Sequence, residues 1–345
     1  MTAADASLQR LARAVGRLGR LPEPGEGVTP AVRAGETENA VLHRYGEAGA
    51  TPLLVVYSLV NRPHLLDLSA ERSVLRRLAA GGHSVYLLDW HPPGPARRFL
   101  GLEDYILGDL TEAVAHIAGR HGGQRPHLLG VCQGGVLALC HAALAPASVR
   151  SLTLLATPVD TGTPGDPLAR LARGIDFDAL VGAAGNPSGP GLAAVFSALK
   201  PFALGIERYA GLARLADADD ETLAEFLRME RWMYDGPDQA GQAFAQFARD
   251  IYQRNALAQG ELRLDGMPVR PEAVRCPVFN AYALDDHLVP PAAARAVTEL
   301  VRGPCRDHAL PGGHLGLFIG GRAHRELYPA LVDWLHTAGP DQPAQ

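Results

Sequence analysis

Three short stretches hold the residues whose types and spacing are suited to covalent chemistry. The first is HLLGVCQGGVLAL, His127 to Leu139. It reads as a buried strand, a glycine-rich corner and a helix, with Cys132 at the apex between Gly130 and Gly134. A side chain at such a corner stands clear of both elements, and the free N–H groups and dipole of the helix start stabilise negative charge beside it. That suits a sulfur nucleophile. Most free cysteines are simply small buried residues, and Cys140, inside the apolar helix, is read that way. So are Cys276, which opens a buried strand, and Cys305.

The second stretch is Asp285-Asp286-His287, directly after the apolar run CPVFNAYAL. The third is Pro311-Gly312-Gly313-His314-Leu315-Gly316, after the short run DHAL. Nucleophile, then acid, then histidine is the chain order of the α/β-hydrolase fold, where G-x-S-x-G forms the nucleophile elbow. Here the box is G-x-C-x-G. The elbow's glycines let strand and helix approach closely. His314 is then the base, and on pattern alone either Asp285 or Asp286 is the acid. His287 is read as a packing or capping neighbour with no assigned role. The oxyanion hole of that fold uses the backbone N–H after the nucleophile, here Gln133, and one from the loop after an earlier strand. That loop is Ser58-Leu59-Val60-Asn61, which makes Val60 or Asn61 the second donor.

These residues need a scaffold that brings them to one edge. Continuous apolar runs at 53–59, 84–90, 127–131, 151–157 and 276–284 read as strands covered on both faces, with a short last strand at 307–310. Helical patterns fall between them: 103–120 with acids at its start and Arg120 at its end, 291–302, and a closing helix at 324–337. The expectation is a mostly parallel sheet with helices on both faces. From about Asp160 to Met267 only helical patterns and Pro/Gly-rich joints such as GTPGDP appear, so residues 160–267 are expected to form a helical cap over the carboxyl edge of the sheet. The core is then 31–159 with 268–345. Ahead of it, 1–30 holds an amphipathic helix over about 6–21 and the linker PEPGEGVT.

Composition narrows the function. The 345 residues are 47% hydrophobic and 20% charged, with 32 Lys plus Arg against 37 Asp plus Glu and a net charge of −5. Nothing is basic enough for nucleic acid. No 18-residue apolar stretch suggests a membrane span, and arginines interrupt the N-terminal segment where a signal peptide would be apolar. Four cysteines without CxxC spacing argue against a disulfide framework or a zinc site. A reduced, cytoplasmic protein without metal or cofactor is expected.

The stretches VVYSLVNRPHLLDL, HLLGVCQGG, MERWMYDGPDQAG, CPVFNAYALDDHLVPP and PGGHLG resemble polyhydroxyalkanoate synthases, above all the short catalytic subunit of the two-component (class III) type. The resemblance runs from about residue 30 to 337. It implies that Cys132 carries the acyl group, that Asp286, directly before HLVPP, is the catalytic aspartate, and that His314 is the base. One departure is Asp89-Trp90-His91-Pro92-Pro93, where relatives are expected to have Gly after the Trp; it bears only on local loop shape. The resemblance also implies an (R)-3-hydroxyacyl-CoA substrate, 3-hydroxybutyryl-CoA above all, and a growing polyester chain. It further implies a second synthase subunit in place of the N-terminal domain of one-component synthases, a homo-oligomer, and a place at the surface of polyester granules.

Sulfur suits such a reaction. A thiolate attacking an acyl-CoA thioester gives another thioester, so the acyl group stays activated toward the 3-hydroxyl of the next unit. CoA is part of the substrate and leaves. Two other readings compete. A hydrolase with the same three residues, thioesterase-like or dienelactone-hydrolase-like, releases free acid; a non-catalytic granule protein that has kept the fold does neither.

Overall fold

Parallel strands with no polar face must be covered on both sides, and this requirement organises the molecule. The structure is a computed structural model describing residues 3–23, 25, 27–199 and 211–339. Eight strands form one sheet: β1 (Val32–Glu36), β2 (Ala40–Tyr45), β3 (Thr51–Val56), β4 (His83–Trp90), β5 (His127–Val131), β6 (Ser151–Leu155), β9 (Val278–Ala283) and β10 (Cys305–Leu310), in the order β1-β2-β4-β3-β5-β6-β9-β10. The strands from β4 to β10 pair in parallel, while β1 and β2 run antiparallel along one edge. A two-stranded hairpin, β7 (Arg263–Leu264) and β8 (Met267–Pro268), stands apart.

Alternate residues of each strand enter opposite cores. Leu54, Val56, Tyr86, Leu88 and Leu128 pack on one side with helices α3 (Thr111–Arg120) and α4 (Gln133–Leu144). Leu53, Val55, Val85, Leu87, Leu129 and Val131 pack on the other with α2 (Val74–Ala80) and the closing helix Tyr328–Thr337. A π-turned stretch, Asp104–Leu110, leads into α3. The helical reading of 103–120 therefore holds with a locally widened first half.

Between β6 and β9 the described chain forms helices joined by loops, together with the β7/β8 hairpin. It comprises α5 (Pro167–Ala172), α6 (Phe177–Ala184), α7 (Gly189–Leu199), α8 (Asp220–Tyr234) and α9 (Gly241–Gln246), which runs on as a π-turn over Phe247–Gln253. Three of these helices start at an aspartate that caps a backbone N–H: Asp166 to Ala169, Asp176 to Ala179 and Asp219 to Thr222. The insertion is not uniform. Phe247, Ile251, Leu257, Leu262 and Leu264 belong to the main core, and Met229, Trp232 and Met233 of α8 to the other. On α7, by contrast, no described side chain is fully buried.

The N-terminal helix α1 spans Ala3–Leu18, starting and ending earlier than the pattern over 6–21 suggested. Its Leu11, Ala14 and Leu18 pack against Leu212, Leu215, Ala216 and Phe226 of the insertion. Arg17 donates to the Ala216 carbonyl at 3.1 Å and to Asp220 at 2.6 Å. Among the described residues no helix is long and apolar enough to cross a membrane.

Candidate active site

The carboxyl ends of β3, β5, β9 and β10 deliver the chemistry-bearing residues to one edge of the sheet, where open α/β sheets bind ligands. Cys132 follows β5 and caps α4, with φ 51° and ψ −118°. A non-glycine residue with positive φ is strained, and here the surroundings enforce it. The Cys132 N–H donates to the Leu155 carbonyl at 2.8 Å and the Gly135 N–H to the Cys132 carbonyl at 2.9 Å. The glycines of the box have no room for a side chain: a Cβ on Gly130 would lie 2.4 Å from the Gly135 Cα, and one on Gly134 2.3 Å from the Val56 oxygen. Cys132 itself is half-buried and lines a cavity that Leu315 and Leu288 also line.

Asp286 and His314 meet below it. The imidazole Nδ1–H of His314 donates to Asp286 Oδ2 at 2.7 Å, and both residues are buried. The other carboxylate oxygen accepts the N–H groups of Leu288 at 2.8 Å and Val289 at 3.0 Å. Burial opposes ionisation of Asp286, but the His314 charge and these donors outweigh it and hold the carboxyl below its ordinary range. Burial likewise opposes the imidazolium. The Asp286 carboxylate, with the nearby Cys132 sulfur adding to it, outweighs that, and the His314 pKa rises to about 10. With Nδ1 committed to Asp286, Nε2 is the nitrogen left for the sulfur. The phenyl ring of Phe318 lies edge-on to the imidazole, 5.6 Å between centroids.

Asp285 plays a different part from its neighbour. Its Oδ2 accepts the Gly312 N–H at 3.2 Å, and its own N–H donates to the Gly312 carbonyl at 2.9 Å. It ties down the loop that carries His314 and does not reach the imidazole.

The loop after β3 is drawn against the elbow. Gln133 Oε1 accepts the Leu59 N–H at 2.9 Å and the Ser58 hydroxyl at 3.2 Å, and the Val60 N–H donates to Ser58 Oγ at 3.1 Å. Val60 and Asn61 both line the cavity over Cys132. Trp90, directly before the His91 at which the sequence departs from its expected relatives, donates its indole N–H to the Tyr57 carbonyl at 3.0 Å and so supports the start of this loop.

That cavity, about 130 Å³, is bounded among the described residues by Cys132, His314, Phe318, Leu65, Trp232 and Phe196, with Met233 and His287 also on its wall. Trp232 and Met233 come from α8 and Phe196 from α7. The sequence reading assigned none of these a role. The only available signal was the apolar-aromatic run in MERWMY, whose spacing equally suits a core helix. The remaining cysteines are held as neutral thiols: burial pushes Cys140 and Cys305 up to about 12 and Cys276 to about 11. Among the described residues no group of three or more His, Cys, Asp or Glu is arranged to hold a metal ion.

Residues 52–320 match the alpha/beta hydrolase fold family. The chain is 42% identical over 317 residues to the poly(3-hydroxyalkanoate) polymerase subunit PhaC of Allochromatium vinosum, covering 90% of this chain and 89% of that protein. It is 38% identical to the subunit of the same name from Synechocystis sp., covering 90% and 85%. The fold is also similar to a hydrolase from Pseudomonas aeruginosa, with a TM-score of 0.55 at 20% identity, covering 88% of this chain and 98% of that one. A monoacylglycerol lipase from Paleococcus ferrophilus gives a TM-score of 0.55 at 16% identity, covering 86% and 98%.

Proposed function

Because the chain belongs to the poly(3-hydroxyalkanoate) polymerase PhaC family, built on the alpha/beta hydrolase fold, we propose that it polymerises through a thioester on Cys132. The chain is an enzyme that forms poly(3-hydroxyalkanoate). The scheme for Cys132, His314 and Asp286 rests on one observation: a buried Asp286–His314 pair, hydrogen-bonded at 2.7 Å, whose imidazole shares one cavity with Cys132 at the carboxyl edge of the sheet.

In the first half-reaction the Cys132 sulfur, its proton held on His314 Nε2, attacks the carbonyl of an (R)-3-hydroxyacyl-CoA. The C–S bond to CoA breaks, the CoA sulfur takes the proton from the imidazolium, and the acyl group stays on Cys132. In the second, His314 takes the proton of the 3-hydroxyl of another hydroxyacyl unit. The freed oxygen attacks the Cys132 thioester, an ester bond forms, and the sulfur leaves as thiolate, its proton again on His314. Asp286 supports the imidazolium in both. CoA is the leaving group and no cofactor enters. The N–H groups of Gln133 and Asn61 are the donors for the carbonyl oxygen as it becomes negative. Of the two candidates after β3, Val60 already gives its N–H to Ser58, which favours Asn61.

The insertion at 160–267 serves in this scheme as a cap that keeps water from the thioester, because hydrolysis competes with chain growth. A second synthase subunit, self-association, and residence at the surface of the polyester granule complete the proposal. The test is incubation with 3-hydroxybutyryl-CoA, with and without a co-expressed partner subunit, measuring CoA release and polymer together. CoA release matched by polymer supports the scheme. Release matched by free 3-hydroxybutyrate instead marks a hydrolase, and loss-free activity in Cys132→Ala removes the nucleophile.

A further inference from the structure

Gln133 follows the nucleophile, yet the residue is only 6% exposed and its side chain turns inward, under the loop after β3. Its Oε1 receives the Leu59 N–H at 2.9 Å and the Ser58 hydroxyl at 3.2 Å. A backbone N–H can only donate, so the Leu59 bond settles that the amide oxygen, not the amide nitrogen, faces the loop. That sets the direction of the whole chain of bonds. The Ser58 O–H points to Gln133, leaving a Ser58 lone pair to accept the Val60 N–H at 3.1 Å. Residues 58–60 thus hang from one side-chain oxygen, and Ser58 and Leu59 are themselves buried.

The anchor is rigid on its own side. Gln133 is the first residue of α4, and Gly134 beside it presses against β3 so closely that a Cβ would lie 2.3 Å from the Val56 oxygen and 2.6 Å from the Tyr57 oxygen. On the far side the Tyr57 carbonyl is taken by Trp90 at 3.0 Å. The elbow and the loop therefore share one fixed point. Two oxyanion donors are effective only if their spacing is set before the charge develops.

We propose that the Gln133 side chain is a positioning residue that sets the spacing between its own backbone N–H and that of Asn61, so that one residue supplies the first oxyanion donor and places the second. This rests on the reading of Cys132 as the acylated nucleophile. It adds that the amide side chain after that nucleophile serves the oxyanion and not the sulfur. A buried, hydrogen-bonded glutamine kept for stability alone would cost activity only through folding.

The experiment compares wild type, Gln133→Met, Ser58→Ala and the double variant in CoA release from 3-hydroxybutyryl-CoA, with alkylation of Cys132 by iodoacetamide as a second readout. Alkylation builds no oxyanion. For Gln133→Met the expected result is a kcat lower by roughly 10- to 100-fold, with KM and the alkylation rate each within about twofold of wild type. Ser58→Ala loses less, because the Leu59 bond remains, and the double variant loses no more than Gln133→Met, because Ser58 acts through Gln133. An unchanged kcat in Gln133→Met, a parallel fall in alkylation, or additive losses overturns the proposal. Should Gln133→Met fail to fold, Ser58→Ala decides alone: a lower kcat at unchanged KM and alkylation supports it, and an unchanged kcat overturns it. Retained CoA release in Cys132→Ala would instead defeat the nucleophile reading underneath, a separate result.

Discussion

Asp285 and Asp286 are chain neighbours that serve one histidine by different routes: Asp286 bonds the His314 imidazole at 2.7 Å, while Asp285 bonds the backbone N–H of Gly312 at 3.2 Å. The two follow β9 in a turn closed by the Asp286 N–H on the Ala283 carbonyl at 3.3 Å, and only Asp286 faces the ring. Asp286→Asn keeps the shape but loses the charge that favours the imidazolium, and kcat should fall by about 10³- to 10⁴-fold. Asp285→Asn retains an oxygen for Gly312 and should stay within several-fold of wild type. Steady-state CoA release from the two variants checks this, and the reverse ranking moves the acid to Asp285.

The same pair predicts a titration. His314 is raised from 6.5 to about 10, chiefly by Asp286 once the opposing cost of burial is overcome. A histidine raised in the folded state contributes stability that is fully present below its unfolded pKa of about 6.5. That contribution is lost as pH climbs through about 10. Wild type should therefore lose melting temperature between pH 8 and 10 more steeply than Asp286→Asn. In that variant the His314 ring-proton shift should also titrate well below 10 by NMR.

Acid should act elsewhere. His83 and His127, at the amino ends of β4 and β5, lie on the edge opposite the site, with ring centroids 5.9 Å apart, and His127 bonds Ser151 at 2.6 Å. Burial, with the nearby charges of His336 and Arg150, lowers His83 to about 4 and His127 to about 3. Both are neutral in the fold, so their contribution is present above about 6.5 and is lost as pH falls toward 4 and then 3. Melting temperature should drop by several degrees between pH 7 and 5. His127→Leu, whatever its effect at pH 7, should flatten that slope. A slope unchanged in His127→Leu assigns the acid sensitivity to other groups.

At the elbow the contact is with backbone. A methyl on Gly134 would meet the Val56 and Tyr57 carbonyls at 2.3 and 2.6 Å, and neither can rotate away as a side chain could. Gly134→Ala should cost about 1–3 kcal/mol of stability by overpacking and most of the CoA release. Equal stability and activity in the variant would mean that α4 can slide along β3.

What the sequence disclosed and what it hid differ in kind. The strands at 127–131 and 276–284 and the glycine box are dense local signals, and they led to Cys132, His314 and the pair Asp285/Asp286. β1 and β2 went unseen because VRAGE is largely exposed and AVLHRY mixes buried with half-buried polar positions, so neither carries a continuous apolar run. The docking of α1 on Leu212 and Ala216, and the turn of the Gln133 side chain toward Leu59, are contacts between residues far apart in the chain. No periodicity encodes them. Phe196 and Trp232 were hidden for a related reason: a helix that lines a cavity and a helix that fills a core have the same apolar stripe.

Helix α7 carries the last prediction. It is rich in apolar residues, GPGLAAVFSAL, yet none of its described side chains is fully buried, Val195 is 43% exposed, and Phe196 stands on the wall of the Cys132 cavity. An apolar helix held so lightly lies at the low end of local stability. It is the part of the proposed cap best placed to move when CoA enters and a growing polyester leaves. A partner subunit that favours the open form does so only through higher affinity for it. In the isolated chain the amides of 189–199 should exchange hydrogen faster than those of α4, and CoA release should begin slowly. Adding the partner subunit should raise specific activity and change exchange in 189–199 while leaving α4 protected. Full activity of the isolated chain, together with exchange in 189–199 that the partner does not alter, would assign the cap's motion no part in the reaction.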